Sequence, residues 1–201
     1  MIAILDYDAG NIKSVEKALI HLGEEALITR DADVIKSCEK VILPGVGCFG
    51  DAMSKIHEYK LDNVIYDVVD AGKPFLGICL GLQLLFKTSE ESPGVSGLGI
   101  LDGEIVRIPD SPDLKVPQIG WNSLEITPGA KLFQGIEQNS YVYFVHSYYL
   151  RAKNEEEVAA KTHYCVDIHA SVEKDNVFAC QFHPEKSSAV GLQILKNFIN
   201  L

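Results

Sequence analysis

Cys79, His183 and Glu185 are three side chains whose types could together carry out nucleophilic acyl transfer. A thiol nucleophile needs a base to take its proton, and the base needs a third group to orient it. Residues 77–83 read Gly-Ile-Cys-Leu-Gly-Leu-Gln and follow the apolar run Pro74-Phe75-Leu76. The pattern predicts a strand entering a tight turn, with Cys79 at the apex and a helix behind it. Such a turn pushes one side chain out of the packed sheet and aims the first free helical N–H groups at it. The thiol would sit at the positive end of the helix dipole, which favours the thiolate. A free cysteine is more often a buried core residue. Gly77, Gly81 and the partners downstream favour the chemical reading here.

Those partners lie in Phe182-His183-Pro184-Glu185, at the end of the strand-like run Val177–Gln181. In an extended chain, residues two apart share a face. His183 and Glu185 are therefore expected to project together at the C-terminal edge of the sheet, where open α/β folds place their sites. Taken singly, His183 reads as a satisfied surface histidine and Glu185 as a solvated carboxylate. With Cys79 they make a triad in which Cys79 attacks, His183 shuttles the proton and Glu185 fixes the imidazole.

Acyl transfer also needs donors for a developing oxyanion. The N–H of Leu80 is one candidate. The loop Pro44-Gly45-Val46-Gly47 is the other, with Val46 and Gly47 supplying backbone groups. This loop has a rival reading, because Gly45-Val46-Gly47-Cys48-Phe49-Gly50 matches the dinucleotide fingerprint GxGxxG. It follows the third strand rather than the first. The position ~20 residues on, where an acidic ribose ligand belongs, falls inside a helical pattern.

The elements that must hold these residues follow from hydrophobic periodicity. Strands are expected at 2–6, 25–29, 40–43 and the run entering Cys79, alternating with helices at 11–23, 48–58 and 60–71. This βαβα order implies a parallel sheet with helices on both faces. The second half reads as antiparallel and strand-rich. A hairpin is signalled around Asp102-Gly103 within 98–107, with further strands near 122–126, 141–146, 157–162, 168–173 and 177–182. The last 16 residues predict an amphipathic helix with Val190, Ile194, Leu195, Phe198 and Ile199 inward. Tyr143–His146 reads as a buried strand, so His146 is expected to be structural. The expected fold is one α/β domain over residues 1–201, with a mostly parallel to mixed central sheet of flavodoxin-like type.

The net charge of −10 makes nucleic acid and acidic membrane surfaces poor partners. No apolar stretch approaches the ~20 residues of a membrane helix, and the first residues lack the basic segment of a signal peptide. Five scattered cysteines without a CxxC pair suit a reducing cytosol and argue against a disulfide framework or a zinc site.

Gly-Ile-Cys-Leu-Gly-x-Gln together with His-Pro-Glu resembles the class I, triad-type glutamine amidotransferases. A finer resemblance is to one member of that family, carried by Asp6-Tyr7-x-Ala9-Gly10-Asn11, Leu43–Gly47 with Phe49–Met53, Cys79–Phe86, Gly120-Trp121-Asn122, Tyr143–Tyr148 and His183–Ser187, so the likeness spans nearly the whole chain. Asp8 departs from the pattern, where a small residue, often glycine, is expected. Leu82 stands where methionine is common.

The resemblance implies that Cys79 attacks the side-chain amide of L-glutamine, giving a glutamyl thioester and ammonia, with no metal or other cofactor. It implies that Gln83 and the backbone around Ser147 and Tyr148 hold the substrate's α-amino and carboxylate groups. It further implies a heterodimer with a (β/α)8-barrel cyclase subunit that receives the ammonia. Docking residues would be Asn11, Trp121, Asn122 and Lys186. A family member serving another acceptor, or a non-catalytic member that only binds, stays open at this stage. The intact triad argues against the last.

Overall fold

The computed structural model describes residues 1–201. In chain order the elements are β1 (Ile2–Leu5), α1 (Ile12–His21), β2 (Ala26–Thr29), α2 (Ala32–Ser37), β3 (Lys40–Leu43), α3 (Phe49–Glu58), α4 (Leu61–Asp70), β4 (Phe75–Ile78) and α5 (Leu80–Leu84). They continue with β5 (Thr88–Ser89), β6 (Gly103–Arg107), β7 (Gln118–Ser123), β8 (Glu125–Ile126), β9 (Tyr141–His146), β10 (Tyr148–Ala152), β11 (Val158–Tyr164), β12 (Val166–Lys174), β13 (Val177–Cys180) and α6 (Ser188–Ile199).

The main sheet runs β2-β1-β3-β4-β13-β12-β10-β6-β5, with β11 branching from β12 and β8 pairing with β11. Its first five strands are parallel, and β12, β10 and β6 continue it antiparallel. β1, β4 and β13 are buried at every position, as strands covered on both faces must be. Alternation sends Ala3, Leu5, Val41 and Leu43 to one core with Phe49, Met53, Ile56 and Ile65 of α3 and α4. It sends Ile2, Ile4, Ile42 and Leu76 to the other, with Leu19 of α1 and Ile194, Leu195 and Phe198 of α6. Val190 and Ile199 pack at the edge of that second core. β13 is the last strand of the chain, yet it lies beside β4. The sequence-distant Cys79 and His183 thus end up on adjacent strand ends.

Several expectations need correction. No hairpin forms over 98–107. Residues 97–101 instead fold back on α5, where Leu98 N–H donates to Leu84 O (2.9 Å) and Ile100 N–H to Leu85 O (2.9 Å). Leu98 and Leu101 are buried there, so core packing overrides the turn signal. α2 was not expected. Asp31 caps it, its carboxylate accepting from Asp33 and Val34 N–H at 3.0 Å. The strand expected at 122–126 is divided between the end of β7, which begins earlier, and β8, and β10 has no counterpart among the expected strands. α6 begins at Ser188, because Pro184–Lys186 forms a separate 3-10 turn.

Asp8 has φ 64°, which explains why a glycine fits that place. Aspartate tolerates the left-handed region better than most residues. Its carboxylate is also tied down, by Arg30 Nη2 at 2.7 Å and by the Tyr59 hydroxyl. The Tyr59 and Arg30 hydrogen bonds hold it below the usual carboxylate range. Arg30 binds Asp6 as well and lies 4.2 Å over the Tyr59 ring. This cluster anchors the loop that leads to Asn11.

Candidate active site

Cys79 sits at φ 55°, ψ −108°, a strained backbone state for a residue with a side chain. Two features enforce it. The Cys79 N–H donates to Cys180 O of the neighbouring strand at 2.7 Å. Gly81 then passes so close to β3 that a Cβ on it would lie 1.8 Å from Leu43 O. The turn is the strand-to-helix elbow read from the sequence. The helix behind it is not. α5 has only five residues, because the chain must turn back to bury Leu84, Leu85 and Phe86. It therefore contributes little dipole to the thiol.

His183 and Glu185 meet as expected, but not along an extended chain. The strand ends at Cys180, and the 3-10 turn at Pro184–Lys186 carries the carboxylate round. Ser187 Oγ closes the turn by donating to His183 O at 2.6 Å. His183 Nδ1 lies 2.8 Å from Glu185 Oε1, with both side chains withdrawn from solvent. The carboxylate accepts, so the proton is on Nδ1 and Nε2 is left to face the sulfur. Asn11 Nδ2 donates to the same carboxylate oxygen at 2.7 Å. Burial works against charge on His183, yet the Cys79 sulfur and the Glu185 carboxylate outweigh it and raise its pKa to about 9. His183 Nε2 and Glu185 Oε2 are buried without a hydrogen-bond partner. The imidazole is thus held from one side and open on the other.

A cavity of about 430 Å³ opens at the sulfur. Val46, Gly47, Cys79, Leu80, Gln83, Ser147, Tyr148 and Lys186 line it, which gathers the expected substrate and oxyanion positions with the nucleophile. Gln83 Nε2 donates to Tyr148 O and to Gln181 Oε1, both at 3.0 Å, so its carbonyl oxygen is the atom left for the cavity. Leu80 N–H points to Gly45 O at 3.3 Å, so this oxyanion donor is engaged within the protein. Gly47 has φ 123°, a conformation reserved for glycine.

Glu91 also lines the cavity and was missed by the sequence reading. It is the only carboxylate there, and its Oε2 accepts from Phe49 N–H at the start of α3 (2.7 Å). No local pattern marks it, since its role comes from a loop folding over α3. His146 is buried, which with the charge on His183 pulls its pKa down to about 4 against the bond to Tyr148 O. The ring is neutral, and Nδ1–H donates to Tyr148 O at 2.9 Å. The Gln118 amide, 2.9 Å from Nε2, must then present its NH2 edge. His146 therefore holds the Tyr148 carbonyl in place, a structural role as expected.

Among the docking candidates, Trp121 is half exposed and edge-on to Tyr143. β7 and β9 form a two-stranded ribbon, and Ile119 and Tyr141 lie exposed on the same face. The sequence reading missed both. Asn122 faces the other way and donates to His163 O at 2.9 Å. Lys186 is exposed at the cavity rim.

The family model for glutamine amidotransferase class-I matches residues 3–201. The chain belongs to this family. Among relatives of this amidotransferase, the imidazole glycerol phosphate synthase subunit HisH of Methanocaldococcus jannaschii is 47% identical over 201 residues, covering 100% of both chains. The protein of the same name from Caldanaerobacter subterraneus subsp. tengcongensis is 50% identical over 198 residues, covering 98% of this chain and 97% of its own. Solved structures agree in fold. A crystal structure of glutamine amidotransferase superposes with TM-score 0.77 at 22% identity, covering 99% of this amidotransferase and 97% of the other chain. No helix of this amidotransferase is long and apolar enough to cross a membrane.

Proposed function

We propose that this chain is the glutaminase subunit of an imidazole glycerol phosphate synthase, acting in the cytoplasm in histidine biosynthesis. The observation that carries the reading is the buried Glu185–His183 pair aimed at Cys79 on a strained elbow, at the floor of a cavity of amino-acid size. The curated relatives carry that synthase's name over their full length.

In the first half-reaction Cys79 Sγ attacks the side-chain carbonyl carbon of L-glutamine. The C–N bond breaks, and His183 Nε2 gives its proton to the departing nitrogen, which leaves as ammonia. Water then adds to the thioester, His183 takes its proton, and the C–S bond breaks to release glutamate. Glu185 keeps Nε2 directed at the sulfur through both steps. Glu91 pairs with the substrate's α-ammonium, and Gln83 with the Ser147–Tyr148 backbone completes the grip on its α-substituents.

Ammonia set free in water at neutral pH would be protonated and lost as a nucleophile. It passes instead to a (β/α)8-barrel cyclase subunit docked over the cavity, which forms imidazole glycerol phosphate and aminoimidazole carboxamide ribonucleotide. The exposed Ile119, Trp121 and Tyr141, with Lys186 at the cavity rim, suit that contact; Asn11 and Asn122, whose amides are engaged by Glu185 and His163 O, would contribute through their segments rather than by their amides. The oxyanion donors support dependence on this partner. With Gly45 O on the Leu80 N–H, rotation of the Gly45–Val46 peptide plane would free one donor and turn the Val46 N–H towards the site.

The test is glutamate release from glutamine by the chain alone and with the cyclase subunit and its nucleotide ligand. Completing an oxyanion hole is worth about 10²–10³ in rate, so stimulation of about a hundredfold or more is expected. Equal, high activity without the partner would remove the partner-dependent reading. No glutamate under either condition would leave the fold without the activity.

A further inference from the structure

Gln181 is a polar side chain that the proposed reaction leaves unassigned. It follows β13, is completely buried, and its main chain is fixed by donation from its N–H to Ala170 O at 2.8 Å. Its amide touches two cavity residues. Gln83 Nε2 lies 3.0 Å from one edge, and Cys79 Sγ lies 3.7 Å from the other.

Amide oxygen and nitrogen are alike in shape, so their assignment must come from the network. Here a backbone carbonyl decides it. Tyr148 O can only accept, so Gln83 must turn its NH2 towards it. The same NH2 group faces Gln181, which makes that edge of Gln181 the oxygen. The opposite edge, an N–H donor, is left against the sulfur. Beyond the His183 imidazole, backbone support for charge on Sγ is weak: the helix behind Cys79 is short, and the Leu80 N–H is engaged by Gly45 O. Val145 O, at 4.0 Å from the sulfur, is an acceptor. Gln181 Nε2, 3.7 Å from the sulfur, is thus a side-chain donor on Sγ in addition to the His183 imidazole.

We propose that Gln181 is a further catalytic residue, whose side-chain N–H holds the Cys79 sulfur in its attacking position and stabilises negative charge on it. The proposal rests on the reading of Cys79 as the nucleophile. The hydrogen bond forms a link between the sulfur and Gln83, so the nucleophile and a wall of the substrate cavity move as one unit. A buried amide is worth keeping at this place because a donor strengthens as charge develops on its acceptor. When Cys79 gives up its proton the bond gains strength, and when the thioester forms it weakens.

The experiment measures alkylation of Cys79 by iodoacetamide as a function of pH, located by mass spectrometry, in the chain bound to its cyclase partner. Gln181→Met keeps the volume and removes the donor. The midpoint of its profile is expected to move up by about one pH unit, with about tenfold slower alkylation at pH 7. The kcat for glutamine should fall about tenfold or more, while KM changes less than threefold. An unchanged profile in a variant that melts like the parent overturns the proposal. A second measurement needs no variant. In the nitrogen-15-labelled parent, the Gln181 side-chain N–H resonances should shift with pH at the same midpoint as alkylation. Resonances that ignore that transition also overturn it. Alkylation does not require glutamine turnover, so a chain that hydrolyses no glutamine but shows both shifts would fail the proposed function and keep this assignment of Gln181.

Discussion

The two sides of the cavity are built to different degrees. On the side of the triad every group is held by the chain itself. Cys79 N–H is on Cys180 O, Glu185 Oε1 receives both His183 and Asn11, and Ser187 Oγ locks the turn between them. On the opposite side, Val46 is exposed, Gly47 adopts a glycine-only conformation, and Gly45 O occupies the N–H that an oxyanion would need. On the proposed reading, the nucleophile is prepared while the groups that would stabilise the oxyanion are not. Cys79 and His183 are positioned by buried hydrogen bonds, which are costly to break. The loop at 44–47 is tied chiefly by Tyr7, whose hydroxyl donates to Pro44 O at 2.6 Å. A loop held by few bonds can change state at small cost. Dependence on a partner is therefore expected to reside in the loop and not in the triad.

The largest effect should come from the prepared side. Cys79→Ala should lower partner-stimulated glutamate release by about 10⁴-fold or more, with assembly unchanged by titration. Activity within tenfold of the parent would take the thiol out of the mechanism.

The pH response of His183 separates the same two regions. Its pKa in the folded protein is raised from 6.5 to about 9. A histidine shifted in this direction stabilises the fold fully below pH 6.5, and the contribution is lost as pH rises through about 9. Denaturation of the free chain at pH 6 and pH 9.5 should show this loss. Removing the sulfur in Cys79→Ala should shrink it. Equal losses in both proteins would show that the sulfur does not hold the imidazolium.

Trp121→Ala tests the exposed ribbon. A half-buried tryptophan anchor is worth about 2 kcal/mol at an interface, or roughly 30-fold in Kd. Unchanged affinity for the cyclase subunit would move the docking surface elsewhere.

Tyr7→Phe is the finest probe of the comparison. It removes one hydrogen bond, worth about 1 kcal/mol, from the loop alone. The activity without partner should rise about fivefold, with little change in the fully stimulated rate. A fall in both rates would mean that the bond supports the competent state of the loop.

Much of the architecture was legible because it repeats. The parallel strands and α1, α3, α4 and α6 announce themselves through apolar spacing, and Gly77-Ile78-Cys79-Leu80-Gly81 marks its own turn. The failures lie where long-range packing overrides a local signal. Asp102-Gly103 looks like a hairpin turn, but burying Leu98 and Leu101 against α5 commits the preceding residues elsewhere. Glu91 and Gln181 carry no local mark at all, one being brought by a loop over α3 and the other by β13 beside β4.

The sequence by itself determined which chemistry is available. A thiol between glycines and a His-x-Glu pair define the proposed reacting groups, and hydrophobic alternation defines the strands that carry them. Only the tertiary structure decided how they meet. β13 inserts beside β4, so residues distant along the chain share one strand edge, and a 3-10 turn brings the carboxylate to the imidazole. It also decided that the Leu80 N–H is engaged and that the Gln181 amide faces the sulfur. Side-chain identity is written locally, whereas hydrogen-bond partners inside a core are chosen by packing across the whole chain.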